Sequence, residues 1–128
     1  MRRAIELSGL GPADVDYINA HATSTPLGDM TEINAIREVF GEHVAQVWIN
    51  STKSLTGHCL WSAGVLEAIA SIVQLREGFV HLNLNLEEPI DAQCRFAGAR
   101  NVEASLEIAL SNSFGFGGIN TSIVLGVR

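Results

Sequence analysis

The chain is poor in charge, above all basic charge, and holds few cysteines, prolines and aromatic residues. Charged residues make up 17% of its 128 residues, with 8 Lys and Arg against 14 Asp and Glu, for a formal net charge of −6. No basic cluster exceeds the pair Arg2-Arg3, which excludes a nucleic-acid binder working through phosphate neutralisation. The 2 cysteines, Cys59 and Cys94, lie far apart in apolar surroundings. They make neither a disulfide framework nor a metal knot, and suit the reduced thiols of a cytoplasmic protein. No apolar run is long enough for a bilayer, because Ser62, Glu67, Ser71 and Gln74 interrupt the stretch Cys59 to Leu75. No secretory leader is expected either, since Met1-Arg2-Arg3 runs into the mixed segment Ala4 to Leu10.

What the chain has is apolar content, 47% hydrophobic, with 12 glycines. That balance is the reverse of a disordered segment, and the length suits one domain spanning residues 1–128. There is no internal repeat, low-complexity tract or long linker. Arg2 to Ser8 is helix-like and ends at Gly9. It starts without a cap, as if within a helix. Val15 to Ala20 and Val44 to Asn50 are expected strands. Between them, Asp29 and Glu32 form a capping-box pattern ahead of an amphipathic helix through Met30, Ile33, Ile36, Val39 and Phe40, closed by Gly41. The segment from about His58 to Glu77 is apolar or small around its whole circumference, which predicts a helix buried all round. His81 to Leu86 alternates as a strand does. So do Leu106 to Leu110 and Thr121 to Leu125, joined by the glycine-rich segment Asn112 to Gly118. The order predicts a layered α/β fold: a mixed sheet of about five strands, three with crossover spacing and two in a hairpin, around a buried central helix.

Three polar loops follow strands, at the strand ends where α/β folds gather their sites. The first holds His21, Thr23, Ser24, Thr25 and Asp29. The second holds Lys53 and Thr56 and leads into His58. The third holds Phe114 and Phe116 among glycines. A lone loop histidine or lysine is usually a solvated surface group. Two histidines and a lysine on converging loops, with few other charges nearby, instead predict a polar site in an apolar setting.

The segments HATSTPLGD (21–29), NSTKSLTGH (50–58) with SAG (62–64), and NSFGFGGIN (112–120) resemble the C-terminal signatures of the β-ketoacyl-acyl carrier protein synthases. These are the ketosynthases of the thiolase fold. The resemblance runs in order over nearly the whole chain. It implies a Cys-His-His site whose nucleophilic cysteine lies in the N-terminal half of the fold. No residue here matches that cysteine, so the chain is similar to the C-terminal half alone. His21 and His58 match the two catalytic histidines. Both would donate from Nε2 to the thioester oxygen of a malonyl group and stabilise the enolate formed as carbon dioxide leaves. His58, expected at the N-terminus of the buried helix, would be kept neutral there by dipole and burial. Lys53 matches the motif lysine, with Glu67 as the counter-charge that a carboxylate on a buried helix requires. Thr23 and Thr25 match residues that bind the phosphopantetheine arm. Phe114 lies in the same glycine-rich motif as a substrate contact, and Phe116 matches the gating phenylalanine. Ala22 stands where the family commonly has glycine, Cys59-Leu60-Trp61 where it has small and aliphatic residues, and Ile119 where it commonly has threonine. These departures point towards a polyketide-type relative.

The resemblance implies decarboxylative Claisen condensation of acyl thioesters with malonyl-acyl carrier protein. It implies no metal and no cofactor, the phosphopantetheine arm of the carrier protein acting as substrate carrier. The expected partners are an acyl carrier protein and an N-terminal ketosynthase half, or a second copy of the chain, with no nucleic acid and no membrane. Two alternatives stand beside it. One is a malonyl-acyl carrier protein decarboxylase of a polyketide β-branching pathway; the other is a non-catalytic partner subunit or fragment. A thiolase relative acting on coenzyme A fits these motifs less well.

Overall fold

The computed structural model describes residues 1–127. Helix α1, Arg2–Leu7, stops where Gly9 turns to φ 75°, a left-handed value that only glycine adopts cheaply. Strand β1, Tyr17–Asn19, is buried throughout. Helix α2, Pro26–Phe40, starts earlier than the capping-box pattern implies. Thr25 is its extended cap and Pro26 takes the first helical position, where a missing N–H costs nothing. Asp29 therefore lies in the first turn, and Glu32 turns inward instead of capping.

Strand β2 is Trp48–Asn50 only, since Gly41–Ala45 forms a 3-10 turn. The polar loop after it contains a single helical turn, α3, Lys53–Thr56. A 3-10 turn at Leu60–Ser62 precedes helix α4, Ala63–Glu77, which ends at the left-handed Gly78. Short strands β3 (Phe79–Val80) and β5 (Val102–Glu103) pair with each other, and β4 is Arg95–Phe96. The hairpin of β6 (Ile108–Gly115) and β7 (Ile119–Gly126) closes the chain.

The five-stranded sheet has the order β4-β2-β1-β6-β7, parallel except for the β6–β7 pair. One correction concerns the third crossover strand. It is Arg95–Phe96, paired with Trp48–Ile49, and not His81 to Leu86. The alternation in HLNLNL reports two unlike sides, but its amides find no continuous strand partner: His81 N–H donates to Gln74 Oε1, Leu82 N–H to Asn101 Oδ1 and Asn83 N–H to the Gly98 carbonyl. Asn85 then breaks the extended path at φ 63°.

One face of the sheet carries α1 and α2 through Ile5, Ile18, Ile33, Ile36, Phe40 and Ile49. The other carries α4 through Tyr17, Leu75, Val80 and Ala109. A second correction concerns α4, which is not buried all round. Its sheet-facing side is Ala63, Glu67, Ser71, Gln74 and Leu75. Val65, Leu66, Ile69, Ile72 and Val73 face outward, Val65 at 64% exposure. Polar groups point in and apolar groups point out. That is the reverse of an ordinary surface helix, and the uniformly apolar sequence hid it.

Candidate active site

Strands β1, β2 and β6 run parallel side by side, so the segments leaving their carboxyl ends emerge at one end of the sheet. The segments after β1 and β2 carry His21 and Lys53, and the end of β6 carries Phe114. The rings of His21 and His58 lie 5.6 Å apart in an edge-to-face arrangement. Phe114 packs 5.5 Å from His21 on another side.

The His21 turn is held from within. Glu32, buried on α2, accepts the backbone N–H of His21 through Oε1 and that of Ala22 through Oε2, each at 2.9 Å. Asn112 Nδ2 adds a third bond to Oε1 at 3.0 Å, and Ser122 Oγ donates to Asn112 Oδ1. The turn is strained: Ala22 sits at φ 30° and Ser24 at φ 64°, values that cost an L-residue energy. Glu32 is the positioning residue that sequence reasoning missed. The available signal was a carboxylate beside the inward stripe Ile33–Ile36–Phe40, where a buried charge demands several donors.

Burial pushes the His21 pKa down to about 4, and the Lys53 charge and the neighbouring His58 push the same way. Its imidazole is therefore neutral near pH 7, a hydrogen-bond donor that does not surrender its proton. His58 differs from expectation. It is exposed and precedes α4 by a 3-10 turn, so the helix-dipole argument does not reach it. Its Nδ1 accepts the backbone N–H of Leu60 at 3.2 Å, which leaves the proton of the neutral ring on Nε2.

Lys53 Nζ and Glu67 Oε1 form a buried ion pair, with side chains 6% and 2% exposed. The pair pins α3 to α4 behind the histidines. A groove of about 680 Å³ runs from His21 along the start of α2, lined by Thr23, Thr25, Glu32 and Phe114. A second recess of about 510 Å³ is lined by Thr23, Lys53 and His58. Phe116 is not brought to this cluster. It stands at the hairpin tip, fully exposed.

Neither cysteine is placed as a nucleophile for this pair. Cys59 Sγ makes only weak contacts to Thr56 O and Gly57 O. Cys94 is buried at the far end of α2 beside Arg37 and Gly41. Burial raises its pKa to about 11, the Asp91 carboxylate adding to the shift and Arg37 opposing it.

Residues 1–87 match the C-terminal domain of beta-ketoacyl synthases. The chain belongs to this family. The chloroplastic 3-oxoacyl-(acyl-carrier-protein) synthase II of Arabidopsis thaliana is 43% identical to this ketosynthase domain over 127 residues, 97% of this chain and 23% of that protein. The 3-oxoacyl-(acyl-carrier-protein) synthase 2 of Coxiella burnetii is 42% identical over 127 residues, 98% of this chain and 30% of that protein. The ketosynthase domain thus spans less than a third of these curated relatives. Among solved structures, a type II PKS acyl-carrier protein in complex with its ketosynthase bound to the hexaketide superposes with a TM-score of 0.89 at 34% identity, covering 98% of this chain and 31% of that one. A beta-ketoacyl synthase from Burkholderia phymatum superposes at 0.86 with 37% identity, covering 98% and 31%. The layered sheet of the ketosynthase domain is therefore that of the thiolase-like ketosynthases.

Proposed function

We propose that this domain supplies the decarboxylation side of a ketosynthase site, completed by a half that carries the nucleophile. The observation that supports it is the close pair of His21, held neutral, and His58, with its proton on Nε2. Two N–H donors converging on one thioester oxygen stabilise an enolate without proton transfer. The malonyl C–C bond breaks, carbon dioxide leaves, and the electron pair passes into the enolate. Its carbon then attacks the acyl thioester on the other half and expels the thiolate. Lys53 and Glu67 hold the His58 segment, and Lys53 adds positive potential beside His21. Thr23 and Thr25 line the groove that takes the phosphopantetheine arm of an acyl carrier protein.

A second reading, malonyl-carrier protein decarboxylation without condensation, draws on the same histidine pair. Replacing the matching segment of the Coxiella burnetii synthase with this chain tests both. The joined enzyme is expected to form 3-ketoacyl product from acyl- and malonyl-carrier proteins. H21A and H58A are each expected to lower carbon dioxide release about 10²- to 10³-fold, as loss of an oxyanion donor does. Undiminished release in either variant would overturn the proposal. Release without ketoacyl product would favour the decarboxylase.

A further inference from the structure

His81 is a buried imidazole, 6% exposed, that the proposed chemistry does not use. Its backbone is tied on both sides, with N–H donating to Gln74 Oε1 at 2.9 Å and the carbonyl accepting from Asn50 Nδ2. The ring therefore has a fixed anchor. Its Nδ1 lies 2.6 Å from the carbonyl oxygen of Leu82. Two lone pairs do not approach that closely, so Nδ1 carries the proton, while Asn50 Nδ2, 3.1 Å from Nδ1, donates to the His81 carbonyl instead. Burial lowers the pKa of the ring, which keeps it neutral and leaves Nε2 bare. The polar atom facing Nε2 is Thr52 Oγ1, at 3.4 Å.

Thr52 is the pivot of the second active-site loop. Its carbonyl accepts the amides of Leu55 and Thr56, which forms the turn bearing Lys53. Its own N–H and hydroxyl both reach Asn19 Oδ1, at 3.0 and 2.9 Å. Asn19 ends β1, two residues before His21, and its Nδ2 donates to Ser111 Oγ on β6. Because the Thr52 N–H satisfies Asn19 by itself, the hydroxyl is free to serve either Asn19 or His81.

We infer that His81, Thr52 and Asn19 form a buried hydrogen-bonded bridge that sets the spacing between the His21 loop and the Lys53 loop, with His81 as a positioning residue. Its kinetic consequence rests on the function proposed above; its geometry does not. Imidazole 15N spectra of the full chain are expected to show one histidine protonated on Nδ1 with a bare Nε2, lost in H81L and shifted in T52V. A ring protonated on Nε2, or one blind to T52V, overturns the bridge whatever the enzyme does. In the joined enzyme, H81L and T52V are each expected to lower kcat roughly tenfold to a hundredfold, the cost of a small misplacement, with KM for malonyl-carrier protein unchanged. The double variant is expected to lose no more than either single one, because the two act through one contact. H81Q, which returns an acceptor towards Thr52, is expected to recover most of the loss. Wild-type kcat in H81L, or additive losses in the double variant, would overturn the positioning role. If H21A proves fully active, the proposed function fails instead, and the spectra alone decide the bridge.

Discussion

Ala22 carries a backbone conformation that its side chain opposes. At φ 30° an L-residue pays roughly 1–2 kcal/mol. Glycine removes that strain and loses about 0.5–1 kcal/mol more entropy on folding. A22G is therefore expected to stabilise the chain by up to about 1 kcal/mol, measured by urea unfolding, with the bonds to Glu32 intact. A clear loss of stability would show that the turn is unstrained. His21 gives a second check. Its folded pKa of about 4 lies below the ordinary 6.5, so between these values the unfolded chain takes up a proton that the folded chain refuses. Its neutral form costs nothing above pH 6.5, and stability falls as pH drops from there towards 4. The His21 ring signals should titrate near 4 by NMR, and H21Q should flatten that part of the stability profile. A midpoint near 6.5 would refute the half-buried neutral imidazole.

At the scale of elements, strand identity was most legible where apolar alternation coincided with main-chain pairing. The β6–β7 hairpin and the β1–β2 crossover emerge from their patterns. His81 to Leu86 does not, because its N–H groups go to the Gln74 and Asn101 side chains and to the lone Gly98 carbonyl rather than along a strand, and periodicity is blind to that choice. The loops bearing His21, Lys53 and His58 were legible through their motifs, and parallel strands explain why they converge. Glu32 was not, since its partners His21, Ala22 and Asn112 are remote in sequence. Glu67 was legible because a carboxylate in an apolar helix needs a cation. That pairing sets a test of what joins α3 to α4. K53M leaves Glu67 uncompensated in the interior and is expected to cost about 3–5 kcal/mol, whereas K53M/E67M, which removes both charges, is expected to recover most of it. Chemical denaturation reads both. A K53M loss below about 1 kcal/mol would mean that the pair is solvated.

At the scale of the whole molecule, the polarity of α4 is the unresolved force. Its inner side holds Glu67, Ser71 and Gln74, and its outer side holds Val65, Ile69, Ile72 and Val73, while Trp61 just before it stands wholly exposed. The segment 87–102 does not cover this face; its strand β4 lies on the sheet edge beside β2. An apolar patch beyond a few hundred Å² is rare on a soluble monomer. Each 100 Å² left in water forgoes about 2.5 kcal/mol, large beside a typical stability of about 10 kcal/mol. Association is therefore expected through this face, with a ketosynthase half when one is present and with a second copy otherwise. Light scattering at low micromolar concentration should show species larger than the 13.7 kDa monomer. I69E should reduce that association and change monomer stability by no more than about 0.5 kcal/mol, the usual effect at an exposed site. A monomer that scatters as one chain and binds no apolar dye would show that α4 is covered from within, and I69E should then unfold it.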